Sequence, residues 1–210
     1  MFVSLEDKAH HEMCCHVAEM LNTEDTSVLK GRVKTSTLPR AKSGMSPLID
    51  VSRLSCLIYR WWKKFSRWSP YHNYVKNVDD IYNFFNSYLS AMRKSFPMAW
   101  GNNDSFMMTE SIGFGIMFSI CDQITTYIFL RDQKMPATED FVNFINAVFY
   151  EGIMPAGIRL DGDNEIPFNW NKETFKKHAS KMKTAELHDR IEKFIIKRCE
   201  LLENEHRWDA

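Results

Sequence analysis

Residues Arg60 to Trp68, RWWKKFSRW, set four cations among four aromatic rings in nine positions. Guanidinium and ammonium groups neutralise phosphates and flat rings stack on bases, so the stretch has the composition of a nucleic-acid contact. Arg60, Lys63, Lys64 and Arg67 would supply the charge, and Trp62 and Trp68 the stacking surfaces. Helical spacing gives a competing account. It turns Trp61 and Phe65 to one inward face and leaves the cations to complement the helix C-terminus. A second basic run lies upstream: from Thr26 to Pro47 the chain carries Lys30, Arg32, Lys34, Arg40 and Lys42 and no acid. That segment reads either as an exposed linker or as a phosphate-contacting arm.

Other reactive residue types occur without an arrangement for catalysis. His10, His11, Cys14, Cys15 and His16 crowd one helix, and the i,i+4 pairs His10/Cys14 and His11/Cys15 could each give a metal two ligands. A closed zinc site needs about four, and no CxxC or HxxxH supplies the rest, so no metal is expected. Asp161, Asp163 and Glu165 alternate in an acidic loop that lacks the calcium-loop pattern. His188 and Asp189 are neighbours on a helix, where adjacent side chains point apart. Gly113-Phe114-Gly115 lies inside an apolar helix with no preceding strand, and close packing explains it better than a dinucleotide fingerprint. Neither a GxSxG elbow nor a Walker loop is present. The expectation is a protein that binds without catalysing and needs no cofactor.

Lysine plus arginine and aspartate plus glutamate number 27 each, so any basic surface must be local. A hydrophobic content of 44% over 210 residues is enough for one domain with a real core. The cysteines, Cys14, Cys15, Cys56, Cys121 and Cys199, are odd in number, and MFVSLEDKAHHE lacks the charged and apolar regions of a secretory signal. A reducing cytoplasm is the expected setting.

These residues need a scaffold. Periodicity predicts a mainly α fold: a single globular multi-helix domain over 1–210, with a short β or extended segment near the N-terminus and a basic loop or arm over 26–47. Phe2 and Val3 read as a strand end, and Ser4 with Asp7 as a capping box opening a helix that turns Met13, Val17 and Met20 or Leu21 inward. Asp50 caps a helix running to Ser66. The centre is 77–131, read as two helices. Asn77 caps the first, whose inward face is Val78, Ile81, Phe85, Tyr88 or Leu89, Met92 and Phe96, and Pro97 stops it. The second is apolar almost all round from Ile112 to Ile120. Asp122 and Gln123 interrupt it short of the roughly 20 residues a bilayer requires, so no membrane span is expected.

Beyond the central pair, Thr138 caps a helix with Phe141, Phe144, Ile145, Val148 and Phe149 inward and Gly152 at its end. A loop follows from Ile153 to Asn169. Asn171 to Lys183 reads as a basic helical segment anchored by Trp170, Phe175 and Met182. The last helix runs from Thr184 towards Glu205 with Leu187, Ile191, Phe194, Ile195 and Leu202 in the core. Its other face, Glu192, Lys193, Lys197, Arg198 and Glu200, reads as ordinary solvated surface.

Three stretches carry a family resemblance. FVSLEDKAHHEMCCHVAEMLNTEDTSVLKGRVK runs a helix and returns through a G-R-[IV]-K strand; IYNFFNSYLSAMRKSFPMAW ends in an FP..W signature; TESIGFGIMFSI follows as a T.GF.AL-like helix. With the residues between them they resemble the C-terminal part of the DGQHR-domain proteins, the group that includes DndB-like regulators of DNA phosphorothioation. The D-G-Q-H-R motif itself would lie upstream of Phe2 and is absent, and Asp161-Gly162-Asp163 is no substitute. The chain therefore looks like a stand-alone version of the family's helical half, and no motif residue carries over. The resemblance implies a prokaryotic or phage setting, association with DNA modification or defence, and binding either of DNA or of a protein partner. A DGQHR-containing protein completing a split complex would be such a partner, and near-zero net charge with abundant Met and aromatic residues suits an interface.

Overall fold

Asn77 opens the central helix as its sequence predicts. In the computed structural model its side chain accepts from the Asp80 backbone N–H at 3.0 Å, and the Asp80 carboxylate accepts from the Asn77 N–H at 3.2 Å. This reciprocal capping box satisfies amides that the helix itself leaves free. The structure describes residues 5–35, 47–65, 75, 77–132, 134–149, 158–161, 164–166, 170–173 and 184–204. Among them the helices are α1 (Leu5–Thr23), α2 (Val51–Phe65), α3 (Val78–Ser95), α4 (Ser111–Asp132), α5 (Thr138–Phe149) and α6 (Thr184–Asn204). The strands are β1 (Val33–Lys34), β2 (Ile49–Asp50), β3 (Ile158–Asp161) and β4 (Asn164–Ile166). The expected Phe2–Val3 strand end, the Ser4 cap, the helix end at Gly152 and most of the basic segment through Lys183 lie outside the described residues.

The fold is mainly helical, with a small parallel sheet near the N-terminus in which Val33 pairs with Ile49 and Lys34 with Asp50. Helix α1 lies against α2 and α3, α3 against α5, and α4 against α6 and α2. Trp61 and Phe65 point inward, each 1% exposed. The Trp61 ring meets Phe84 at 4.4 Å and Phe85 at 5.0 Å, and Phe85 stacks on Phe118 at 5.1 Å. Helices α3 and α4, consecutive in the chain, are tied by long side chains. The Tyr88 hydroxyl donates to the Met117 carbonyl at 2.6 Å, a buried bond that gives the phenol its partner. Asp122 does not break α4, which continues to Asp132. By length and composition its Ser111–Phe129 stretch could cross a bilayer, and in this fold 78% of that stretch is buried inside the protein.

Four details depart from the sequence reading. The 153–169 loop holds an antiparallel hairpin, with Ile158 opposite Ile166 and Arg159 opposite Glu165. Its strands are too short for period-two alternation to register, although Asp161-Gly162 is a hairpin dipeptide. Helix α5 is capped one residue earlier than expected: the Ala137 N–H donates to Asp140 at 2.8 Å, and Thr138 is the first helical residue. Gly113 serves packing against its own preceding turn rather than against a second helix. A Cβ there would meet the carbonyl oxygens of Met107 and Met108 and lie 2.6 Å from the Met108 carbonyl carbon. Arg198 is not solvated surface but core, at 4% exposure. Its Nε donates to the Val148 carbonyl at 3.3 Å and its Nη2 to the Ala147 carbonyl at 3.2 Å. Those carbonyls belong to the last turn of α5, where no intrahelical donor remains and a cation is favoured.

Two stability predictions follow from these contacts. Gly113→Ala forces backbone apart at the start of α4 and should cost about 3 kcal/mol or more in urea denaturation, whereas an ordinary exposed helical glycine gains from alanine. Arg198→Ala strands two buried carbonyls and should cost about 2–4 kcal/mol. A loss below about 0.5 kcal/mol, the range of ordinary surface substitutions, would show that water replaces the guanidinium.

Candidate functional site

Helix α2 is the element on which cations and rings were expected to form one patch, and its geometry divides them. Residues four apart share a face, so Arg60 and Lys64 turn with Trp61 towards α4 while Tyr59, Trp62 and Lys63 turn towards α1. On the α1 side Trp62 is half-buried with its ring 5.8 Å from His10, and His11 meets Tyr59 edge-on at 5.6 Å. The Tyr59 hydroxyl donates to Asp7 at 2.9 Å, and Lys63 lies 3.9 Å from the same carboxylate oxygen and 5.9 Å over the Tyr59 ring. The Trp62 indole N–H is buried and meets no acceptor among the described residues. Arg67 and Trp68 lie outside the described residues.

On the other side an open cleft of about 240 Å³, counted to its mouth, is lined by Leu57, Arg60, Trp61, Gly115, Phe118, Ser119 and Asp122. Lys64 donates to the Asp122 carboxylate of its wall at 3.3 Å. The Asp122 side chain is only 23% exposed. Burial pushes its carboxyl up to about 6 from 3.8, against the opposing pull of Lys64 and Arg60, with Glu192 of α6 adding a further upward push. Asp122 thus pairs with one of the cations expected to reach outward, Lys64, while Arg60 lies exposed beside the same cleft. Sequence reading passed over Asp122, which registered only as a break in an apolar run; a lone carboxylate on a helix that is otherwise buried all round was the available signal.

The described first part of the upstream basic segment, up to Thr35, is folded into a tight turn. Gly31 adopts φ 66°, and Asn22, itself buried, clamps both sides: its carbonyl accepts from the Gly31 N–H at 2.8 Å and its Oδ1 from the Val33 N–H at 2.9 Å. Lys30 pairs with Asp25, and Lys34 with Asp50 of β2 at 3.4 Å. Arg32 is half-buried, its guanidinium lying against Gly101, where a Cβ would stand 3.5 Å from Nη2. Arg40 and Lys42 lie outside the described residues. Thus Lys30, Arg32 and Lys34 are brought together on one turn, and each described candidate lysine has a carboxylate of its own chain beside it.

The metal alternative finds little support in the helix that suggested it. His11 Nδ1 approaches Cys15 Sγ at 3.7 Å, but Cys14 is fully buried with its thiol pushed up to about 12, chiefly by burial. Among the described residues no group of three His, Cys, Asp or Glu side chains is placed to hold an ion.

Asp122 yields a pH prediction. Its folded-state pKa is raised above the unfolded value, so its protonated form contributes stability that is fully present below about pH 4 and is lost as pH rises through about 6. The D122N variant should remove that slope and, at pH 8, be more stable than the parent by about 1–3 kcal/mol in urea denaturation. If D122N is instead less stable at pH 8, the Lys64 ion pair outweighs the desolvation of the carboxylate. Comparison of the chain with protein-family models, with curated proteins and with solved structures finds no match.

Proposed function

We propose that this chain is a non-catalytic accessory or regulatory protein of a prokaryotic or phage DNA modification or defence system, and that it touches DNA phosphates through the turn from Lys30 to Lys34. The setting rests on the resemblance to DGQHR-domain proteins. What supports a phosphate contact is the turn itself: three cations within five residues, held in place by the Asn22 clamp. The carboxylates beside its lysines are exposed: Asp25 is 89% and Asp50 59% accessible. Exposed ion pairs are worth about 0–1 kcal/mol, so a phosphate can displace them.

The second reading is a protein-interaction subunit that completes a split DGQHR-type complex without touching DNA. The observation in its favour is the compensation of charge. Lys30, Lys34, Lys63 and Lys64 sit beside Asp25, Asp50, Asp7 and Asp122, which gives an even potential rather than a basic field.

A salt series of duplex binding separates the two. Phosphate contact predicts affinity that falls steeply with salt, and the Lys30→Ala/Lys34→Ala double variant should lower the log–log salt slope by about two. If no binding appears even at low salt, DNA contact is wrong and the protein-partner reading takes its place. Co-purification with a co-expressed DGQHR-containing protein then tests that reading.

A further inference from the structure

The cleft between α2 and α4 is built from two facing stripes. Leu57, Arg60 and Trp61 share one face of α2, and Gly115, Phe118, Ser119 and Asp122 share one face of α4, each set spaced three and four residues apart. Leu57, Trp61 and Phe118, between 1% and 4% exposed, give it an apolar floor, and Gly115 adds no side chain to crowd it. The three polar groups of the lining are not equally used. Asp122 accepts from Lys64 at 3.3 Å, so its charge is answered within the chain. Glu192 of α6 also acts on Asp122, but it does not line the cleft. Arg60 is exposed and makes no hydrogen bond or ion pair among the described residues. Ser119 is 7% exposed, and its hydroxyl likewise bonds to nothing among the described residues. A guanidinium fork matches the two oxygens of a carboxylate, and a hydroxyl can add a third donor. One free cation answers one negative charge. A phosphate monoester would bring nearly two to a wall that already holds Asp122.

We infer that this cleft is a binding site for a small organic carboxylate, its anionic head on Arg60 and Ser119 and its apolar body over Leu57 and Phe118. A volume of about 240 Å³ to the mouth suits a body of one ring, below the size of the pockets that hold drug-sized ligands. The site is separate from the Lys30 to Lys34 turn and does not depend on DNA contact there. It also differs from a structural role for Arg60: an exposed guanidinium without a partner can be removed at no cost to the fold.

The test uses the full chain and three probes: benzoate, acetate, which keeps the head without the body, and benzamide, which keeps the ring without the charge. Titrations followed by two-dimensional amide NMR read affinity and location together. Benzoate should move the amide signals of Gly115, Phe118 and Ser119 and bind on the order of 10-fold more tightly than either control. Arg60→Gln should weaken benzoate on the order of 10-fold while melting as the parent does, and Ser119→Ala should weaken it about 3-fold. Lys63→Gln, on the α1 side of the same helix, should leave benzoate binding unchanged. The inference is overturned if benzoate moves no signals or moves only signals remote from the cleft, or if Arg60→Gln binds it as the parent does. Acetate binding as tightly as benzoate would reduce the site to surface charge, and benzamide doing so would remove Arg60 from recognition; either result overturns it. A lower melting temperature for Arg60→Gln would assign that residue to the fold and overturn it as well.

Discussion

The Trp61 ring is the contact on which the rest of this structure depends. It lies between Phe84 and Phe85 of α3 and beside Phe65 of its own helix; Phe84 reaches Phe141 of α5 and Phe85 stacks on Phe118 of α4. One aromatic cluster thus joins four helices. Each such ring pair adds about 0.5–1.5 kcal/mol beyond the area it buries. Placing Trp61 inward also settles the orientation of α2. Once that face is buried, Arg60 and Lys64 must lie along the α4 side and Trp62 and Lys63 along the α1 side.

That orientation explains why Lys63 and Lys64, neighbours in the sequence, face different helices. Long side chains flanking a buried face reach for the nearest carboxylate, and the packing supplies one on each side: Asp7 from α1 and Asp122 from α4. The two carboxylates differ in consequence. Asp7 is shared with the Tyr59 hydroxyl at the edge of the protein, where an ion pair is worth little. Asp122 is largely withdrawn from water, where its charge is costly and its protonation state is set by burial before it is set by Lys64. Charge in the turn from Lys30 to Lys34 is held differently, by backbone geometry around Gly31 and Asn22 rather than by a helix face. It therefore keeps its cations close together.

Much of the scaffold was legible in the sequence. Asn77 with Asp80, the stop at Phe96 before Pro97, the inward faces of α3 and α5 and the burial of Trp61 and Phe65 all follow from capping chemistry and the 3.6-residue period. These are local signals, complete within one or two helical turns. The hairpin of β3 and β4 escaped because so few residues carry no period. Arg198 escaped because its partners, the carbonyls of Ala147 and Val148, are brought to it by another helix, and nothing within α6 marks it.

The candidate site divides along the same line. The residue types and their clustering on the Gly31 turn and on α2 are properties of the sequence, since neighbours in the chain stay neighbours in space. Which cations remain available for a ligand was decided only by the tertiary structure. Coulomb energy depends on distance, and the distances from Lys64 to Asp122, from Lys63 to Asp7 and from Lys34 to Asp50 are set by how distant segments pack. Sequence determined a helical protein with basic, ring-rich segments; packing determined where their charge is cancelled and where it is concentrated.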